Sequence, residues 1–344
     1  MDRGEKKRFQ NARRALERQS GYLFEARTTA QQSAIFGKAF AESGGKQEPL
    51  PHPLMLIRAR ELSFSTEAMA ALAASDFSAV VRLPNEINRT LGSVRSFSEH
   101  YRSDQPTSRK RLLAFRQVQA RLASAFPVEF LNLIRRSTTG IRVISDAHLE
   151  WLDLDGLPLA IRKTCTRIPV TPGNLFVDQL AAKPLLHMTP EDFSKVLVIS
   201  ALKRGDPFRR IFETAFGAYE QHWRDHLTVE IVEVANEDEL VRAFNDFDGP
   251  MIVFDGHGSH NKNEPAKIHL QGEAVDVWNL RDKIQRMPPV VVLSACDTHA
   301  ADRNHATTAN GIMHLGARTV LSSVFPLDVR FAAIFTARLV FRIA

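Results

Sequence analysis

The chain has 344 residues, enough to bury a sizeable core and to hold two domains. Its 45 Lys and Arg against 39 Asp and Glu give a net charge of +6. The surplus is not gathered into a basic run with interleaved aromatics, so nucleic acid is not an expected partner. Two cysteines, Cys165 and Cys296, exclude a disulfide framework and fit a reducing compartment. No apolar run approaches the roughly 20 residues that span a bilayer, and the basic N-terminus lacks the apolar core of a secretory signal. A cytoplasmic protein with no membrane partner is expected.

Residues 1–40 read as helical, with Phe9, Ala12 and Leu16 at helical spacing among Lys6, Lys7, Arg8, Arg13, Arg14 and Arg18. Ser43-Gly44-Gly45-Lys46-Gln47-Glu48-Pro49 is a flexible break. Short strands are predicted over 54–57 and 79–83, and a helix over 66–74 capped by Thr66. Ser108 is predicted to cap a long helix to about Phe126, with Leu112, Phe115, Val118 or Gln119, and Leu122 as its apolar stripe. A further helix follows Pro127. Residues 1–130 thus form a mainly helical region whose motifs carry no evident chemistry. A strand over 141–144 leads to His148-Leu149-Glu150-Trp151-Leu152-Asp153-Leu154 and the turn Asp155-Gly156. Residues 158–162 and 166–169 alternate like edge strands.

From Lys195 a strand-then-helix rhythm begins. Strands are predicted over 196–199, 229–234, 251–254, 290–293 and 319–323. Helices are predicted over 207–223, 236–247, 277–286, 306–315 and 328–341, and a hairpin or strand extension over 268–275. Asp206 before Pro207 occupies the preferred N-cap position, and Asn236 with Glu239 forms a capping box. The alternation predicts an α/β fold of three layers around a mostly parallel sheet.

Two of these strands end in reactive side chains. The first continues into Asp255-Gly256-His257-Gly258-Ser259-His260, the second into Ser294-Ala295-Cys296-Asp297-Thr298. Parallel sheets place their chemistry at the carboxyl ends of strands. His257 and Cys296 are therefore expected on one sheet edge, the minimum set for nucleophilic cysteine catalysis. Gly256 and Gly258 let the backbone around His257 bend and approach closely. The N–H groups of Gly258 and of the turn after Cys296 are candidate oxyanion donors. Alternatives on the same residues are His260 as base, a buried inert Cys296 and a structural turn His257. Zinc ligation by His257, His260, Cys296, His299 and His305 has no C-x-x-C or H-E-x-x-H spacing behind it. Neither phosphate-binding glycine motif follows a strand, so no cofactor and no metal are expected.

The runs Phe254-Asp255-Gly256-His257-Gly258 and Leu293-Ser294-Ala295-Cys296-Asp297-Thr298 resemble the CHAT domain family, caspase- and separase-like cysteine peptidases. The resemblance continues through Ala309-Asn310-Gly311-Ile312-Met313-His314-Leu315-Gly316-Ala317-Arg318-Thr319-Val320. It ends in Ser322-Ser323-Val324-Phe325-Pro326-Leu327-Asp328, where the family usually shows Trp in place of Phe325. Upstream, Val196-Leu197-Val198-Ile199-Ser200 looks like the first central strand, and residues 144–152 like the leading hairpin region. The resemblance implies a three-layer caspase-like domain over 140–344 and a cysteine endopeptidase acting on a protein substrate. It implies Cys296 as nucleophile, His257 as general acid and base, and an oxyanion hole from the N–H groups of Gly258 and Cys296. Asp328 is a candidate for a pocket carboxylate selecting a basic P1 residue, although it also reads as an N-cap, and Asp297 competes for the pocket role. Family members usually run on past the last helix to another strand. Because this chain stops at Ala344, either a truncated domain or one that lacks an edge strand is expected, with an exposed sheet edge. The alternative is a non-catalytic caspase-like scaffold or adaptor, with a regulatory protein partner, in a bacterial regulatory or defence complex.

Overall fold

The structure, a computed structural model, describes residues 60, 63–64, 67–71, 73–75, 77–84, 87, 90–102, 107–169, 186–261, 264–303 and 305–343. The predicted helix over 1–40, the break at 43–49, the strand at 54–57 and the Thr66 cap lie outside the described residues. The chain divides into two compact units, Met1–Val177 and Asp178–Ala344.

The first unit contains α1 (Leu91–Arg102), α2 (Ser108–Ser124), α3 (Val128–Arg136), β1 (Ile141–Ile144), β2 (Asp153–Leu154), β3 (Leu157–Pro158), α4 (Leu159–Arg162) and β4 (Cys165–Ile168). The segment 79–83 is irregular rather than a strand, and finds no ladder partner among the described residues. The cap of α2 is Thr107, whose hydroxyl accepts from Lys110 N, so the predicted Ser108 is the first helical residue. The buried stripe of α2 is Ala114, Val118 and Leu122. Leu112 falls outside it and is exposed, because the buried face is centred on Val118. The segment 158–162 is a correction too. Only Leu157–Pro158 pairs, with β2, and Leu159–Arg162 then turns helical so that Leu159 enters the core. Asp155 and Gly156, both at positive φ, make the tight turn between β2 and β3. Strands β1 and β4 pair in parallel. Around them Phe97, Phe115 and Trp151 interlock, and the buried His148 stacks on Trp151 while its Nδ1 bonds Glu150.

The second unit runs β5 (Lys195–Ser200), α5 (Pro207–Trp223), β6 (Thr228–Glu233), α6 (Glu237–Asp246), β7 (Met251–Asp255), β8 (His257–Ser259), β9 (Lys267–His269), β10 (Ala274–Val275), β11 (Val290–Ser294), α7 (Thr308–Leu315), β12 (Thr319–Leu321) and α8 (Val329–Ile343). Five strands form one parallel sheet in the order β12-β11-β7-β5-β6. Successive residues of its central strands point to opposite faces. Leu197, Ile199, Ile252, Phe254, Val291 and Leu293 pack against Leu240 and Phe244 of α6 and Ile312 of α7. Val196, Val198, Met251, Val253 and Val292 pack against Phe212, Phe216 and Trp223 of α5 and Ala333, Ala337 and Val340 of α8. Both faces are covered, which is why β5 and β7 read as unbroken apolar runs rather than alternating ones.

The order of the strands reverses between β5 and β7. From β5 the chain goes outward to β6, then crosses back to β7 on the other side of β5. The loops leaving the carboxyl ends of β5 and β7 therefore part at a switch point, where open α/β sheets form their crevice. The connection from β7 to β11 is not the predicted helix over 277–286. It holds a three-stranded antiparallel sheet, β8-β9-β10, and one short 3-10 turn, Val277–Leu280. Asp276 caps that turn through Trp278 N, and the Asn245 side chain bonds both Lys283 O and Gln285 N. These contacts satisfy the backbone that a helix would otherwise have satisfied.

Candidate active site

Strands β7 and β11 lie side by side in register, with Asp255 opposite Ser294. His257 and Cys296 each stand two residues beyond that last rung, on the same edge of the sheet. Gly258 explains how close the two loops come. A Cβ there would collide with the Cys296 carbonyl oxygen and press on Thr298 Cγ2 at 3.3 Å. Only a glycine lets the strand carrying His257 lie directly on the Cys296 backbone.

The Cys296 loop is held from below. Thr298 is fully buried; its hydroxyl accepts from Ser323 N at 3.1 Å, and Ser323 O accepts from His299 N at 2.9 Å. Ser323 Oγ in turn donates to Ala295 O. Asp297 sits at φ +54°, in the left-handed region that Asp tolerates better than most side chains. The chain thus turns sharply just after Cys296. The Leu327 N–H, from the loop before α8, donates to Cys296 Sγ at 3.4 Å.

His257 is held from the side. Its Nε2 lies 2.8 Å from Asp206 Oδ2, a bond the ring donates because an ionised carboxylate only accepts. The other carboxylate oxygen of Asp206 accepts from Phe208 N at 2.9 Å and caps α5. Phe208 lays its ring against His257, 5.5 Å between centroids. Burial works against the charge on Asp206, but the bonds from His257 and Phe208 N outweigh it and hold its pKa below the usual carboxylate value. The neighbouring Asp255 goes the other way. Buried at the end of β7, with Asp206 and Glu213 nearby and only Arg209 to offset them, its pKa is pushed up to about 8. Two neighbouring carboxylates are thus set apart, the pKa of Asp206 held down and that of Asp255 pushed up.

On the far side of His257, β8 pairs with β9 so that His269 lies opposite His257, and His269 Nε2 meets Ser259 Oγ at 2.7 Å. Burial, then the charges of His257 and Lys267, lower the pKa of His269.

The other sequence-predicted residues are placed as follows. Asp328 adjoins Leu327, so it lies near Cys296. Its Oδ1 accepts from Arg330 N at 2.9 Å and its carboxylate pairs with the Arg330 guanidinium, at the start of α8. Those contacts hold its pKa below the usual value. His260 is buried, and its carbonyl accepts from Arg303 Nε. His299 Nδ1 meets Thr307 Oγ1, and His305 O accepts from the Asn310 amide. Among the described residues no group of three or more His, Cys, Asp or Glu could hold a metal ion. Asp206 was legible in the sequence only as a helix cap; its approach to His257, 51 residues away, had no local signal.

The parallel sheet with helices on both faces and a helical stretch ahead of it define a caspase-like α/β protein. The chain belongs to the CHAT domain family, whose model, described as the CHAT domain, matches residues 93–342. This places it with the caspase- and separase-like peptidases. The match begins ahead of residue 140 and takes in α2, α3 and all but the first two residues of α1. No curated protein matches the chain. No helix among the described residues is long and apolar enough to cross a membrane.

Proposed function

We propose that the chain is a cysteine endopeptidase. The observation that carries this reading is the register of β7 and β11, which puts His257 and Cys296 at equal distances beyond one rung, with Gly258 against the Cys296 carbonyl. In this reading the Cys296 thiolate attacks a peptide carbonyl carbon. The oxyanion is met by the N–H groups of Gly258 and Cys296. Imidazolium of His257 gives its proton to the leaving amine, and a thioester remains on Cys296. Water, deprotonated by His257, then releases the acid and restores the thiol. A thiolate accepts the Leu327 N–H more strongly than a thiol does, so this bond supports the nucleophile.

The substrate pocket is assigned to the loop before α8. Asp328 would there receive a basic P1 side chain by exchanging its Arg330 partner for the substrate; Asp297, next to Cys296, is the competing candidate for that role. A cytoplasmic location, a regulatory protein partner and a bacterial setting belong to the same proposal.

Replacing Cys296 by Ala is expected to abolish hydrolysis of peptides with basic P1 residues, or self-cleavage, while far-UV circular dichroism stays native. Unchanged hydrolysis would remove Cys296 from the role. A second reading, a non-catalytic scaffold, draws on β6 and β12, the outermost strands of the five-stranded sheet among the described residues; edge strands can pair with other chains. That reading requires that no peptide be cleaved at all.

A further inference from the structure

We propose that Asp206 is the positioning residue of His257: it holds the imidazole through Nε2 and leaves Nδ1 as the nitrogen that exchanges protons with Cys296 and the leaving amine. The inference rests on the cysteine peptidase reading and adds a third residue to it.

Three observations carry it. The first is topology. Asp206 leaves β5 and His257 leaves β7, the two strands that flank the switch point of the sheet. The second is rigidity. Asp206 is the cap of the 17-residue helix α5, with Pro207 at its first position, and Asp206 N donates to Lys203 O at 2.9 Å. Its carboxylate is divided. Oδ1 serves the helix through Phe208 N, so only Oδ2 is left for His257. The Phe208 ring fixes the tilt of the imidazole from a second direction. The third is exposure. The Asp206 side chain is 19% exposed and that of His257 46%, so the anchored end of the pair is covered and the imidazole faces solvent. In the neutral ring an ionised Asp206 admits only the tautomer with the proton on Nε2, and Nδ1 is then a base. On protonation the same carboxylate faces the imidazolium.

Asp206→Asn provides the test, because Asn caps a helix as well as Asp does. With its oxygen retained by Phe208 N, its NH2 group takes the place of Oδ2 and donates to Nε2. The proton of the neutral ring must then move to Nδ1, where it blocks the base. The experiment uses the full chain with 15N-labelled histidine and reads the tautomer of His257 from its ring nitrogen shifts in wild type and Asp206→Asn. The same samples are treated with a peptidyl chloromethyl ketone, from which the Cys296 thiolate displaces chloride.

The expected result is an Nε2–H tautomer in wild type and an Nδ1–H tautomer in Asp206→Asn. Peptide turnover should fall by roughly 10³ to 10⁴, the size expected when an imidazole is held in the wrong tautomer. KM and melting temperature should barely change, whereas a merely structural Asp206 would move the melting temperature and not the tautomer. Asp206→Ser, which keeps the cap and removes the second oxygen, should lose less than Asn. An unchanged tautomer and undiminished labelling in Asp206→Asn would overturn the proposal. A His257→Ala arm separates the two levels. If its labelling of Cys296 equals wild type, the peptidase reading fails, and the tautomer signal alone decides whether Asp206 holds the ring.

Discussion

Asp255 shows what a buried carboxylate at a strand end costs. It closes β7, its carbonyl accepts from Ala201 N, and its side chain is buried beside Asp206 and Glu213. Its pKa is raised from 3.8 to about 8 in the folded chain. Between these values the folded state holds a proton that the unfolded state has lost, so stability falls as pH rises through this window. Asp255→Asn removes the penalty. The variant is expected to melt like wild type near pH 4 and several degrees higher near pH 8, the gap growing with pH, and thermal denaturation at the two pH values reads it. A gap of the opposite sign would mean that Asp255 is charged and compensated in the folded chain. Gly258 is the second residue with a fixed requirement. Gly258→Ala drives a methyl group into the Cys296 carbonyl. A loss of about 1–3 kcal/mol in urea denaturation is expected from this overpacking, together with slower probe labelling of Cys296. The strand-end positions of His257 and Cys296 were legible in the sequence because each follows an apolar run too short for a helix and too apolar for an edge strand. Asp206 was legible only in its local role, since the cap is written within three residues and the bond to His257 is not.

At the scale of elements, legibility followed the source of each element's hydrogen bonds. Helices α5 and α6 announce themselves through Asp206-Pro207 and through Asn236 with Glu239. In the structure Asn236 Oδ1 accepts from Glu239 N, while Glu239 Oε2 accepts from Ala235 N. Asn236→Ala is expected to destabilise the chain by about 1 kcal/mol, measured by urea denaturation, while Asn236→Ser keeps most of that stability. No change in Asn236→Ala would mean that Glu239 alone holds the start of α6. The segment 277–286 was misread because Val277 and Leu280 recur at a spacing that an α-helix and a 3-10 turn share. What decides between them lies elsewhere in the chain. Trp278 donates to Thr307 O and stacks on His314, and a Cβ on Gly311 would meet Val277 and Trp278. The turn is shaped to seat α7, and it ends where Asn245 captures the backbone of 283–285. Residues 158–162 failed for a related reason. Alternation suggested a strand, but only two residues found a partner, and burial of Leu159 favoured a helical turn.

For the whole molecule, the strand-helix rhythm from Lys195 fixed the architecture in advance, because a sheet covered on both faces needs continuous apolar strands and helices between them. The strand order was not written in the rhythm. It is the reversal between β5 and β7 that brings Asp206 to His257, and the neighbouring register of β7 and β11 that brings the His257 and Cys296 loops together. The CHAT domain match over 93–342 agrees with the parallel sheet flanked by helices. The central claim is that these loops form a working cysteine site. Its most direct test is the rate at which peptidyl chloromethyl ketones label Cys296 at pH 7 in the full chain, with His257→Ala as control and basic against acidic P1 probes. The account expects fast labelling that is lost in His257→Ala and a preference for the basic probe. Slow labelling, equal in both proteins and indifferent to the P1 charge, would contradict it and leave an inert cysteine in a caspase-like shell.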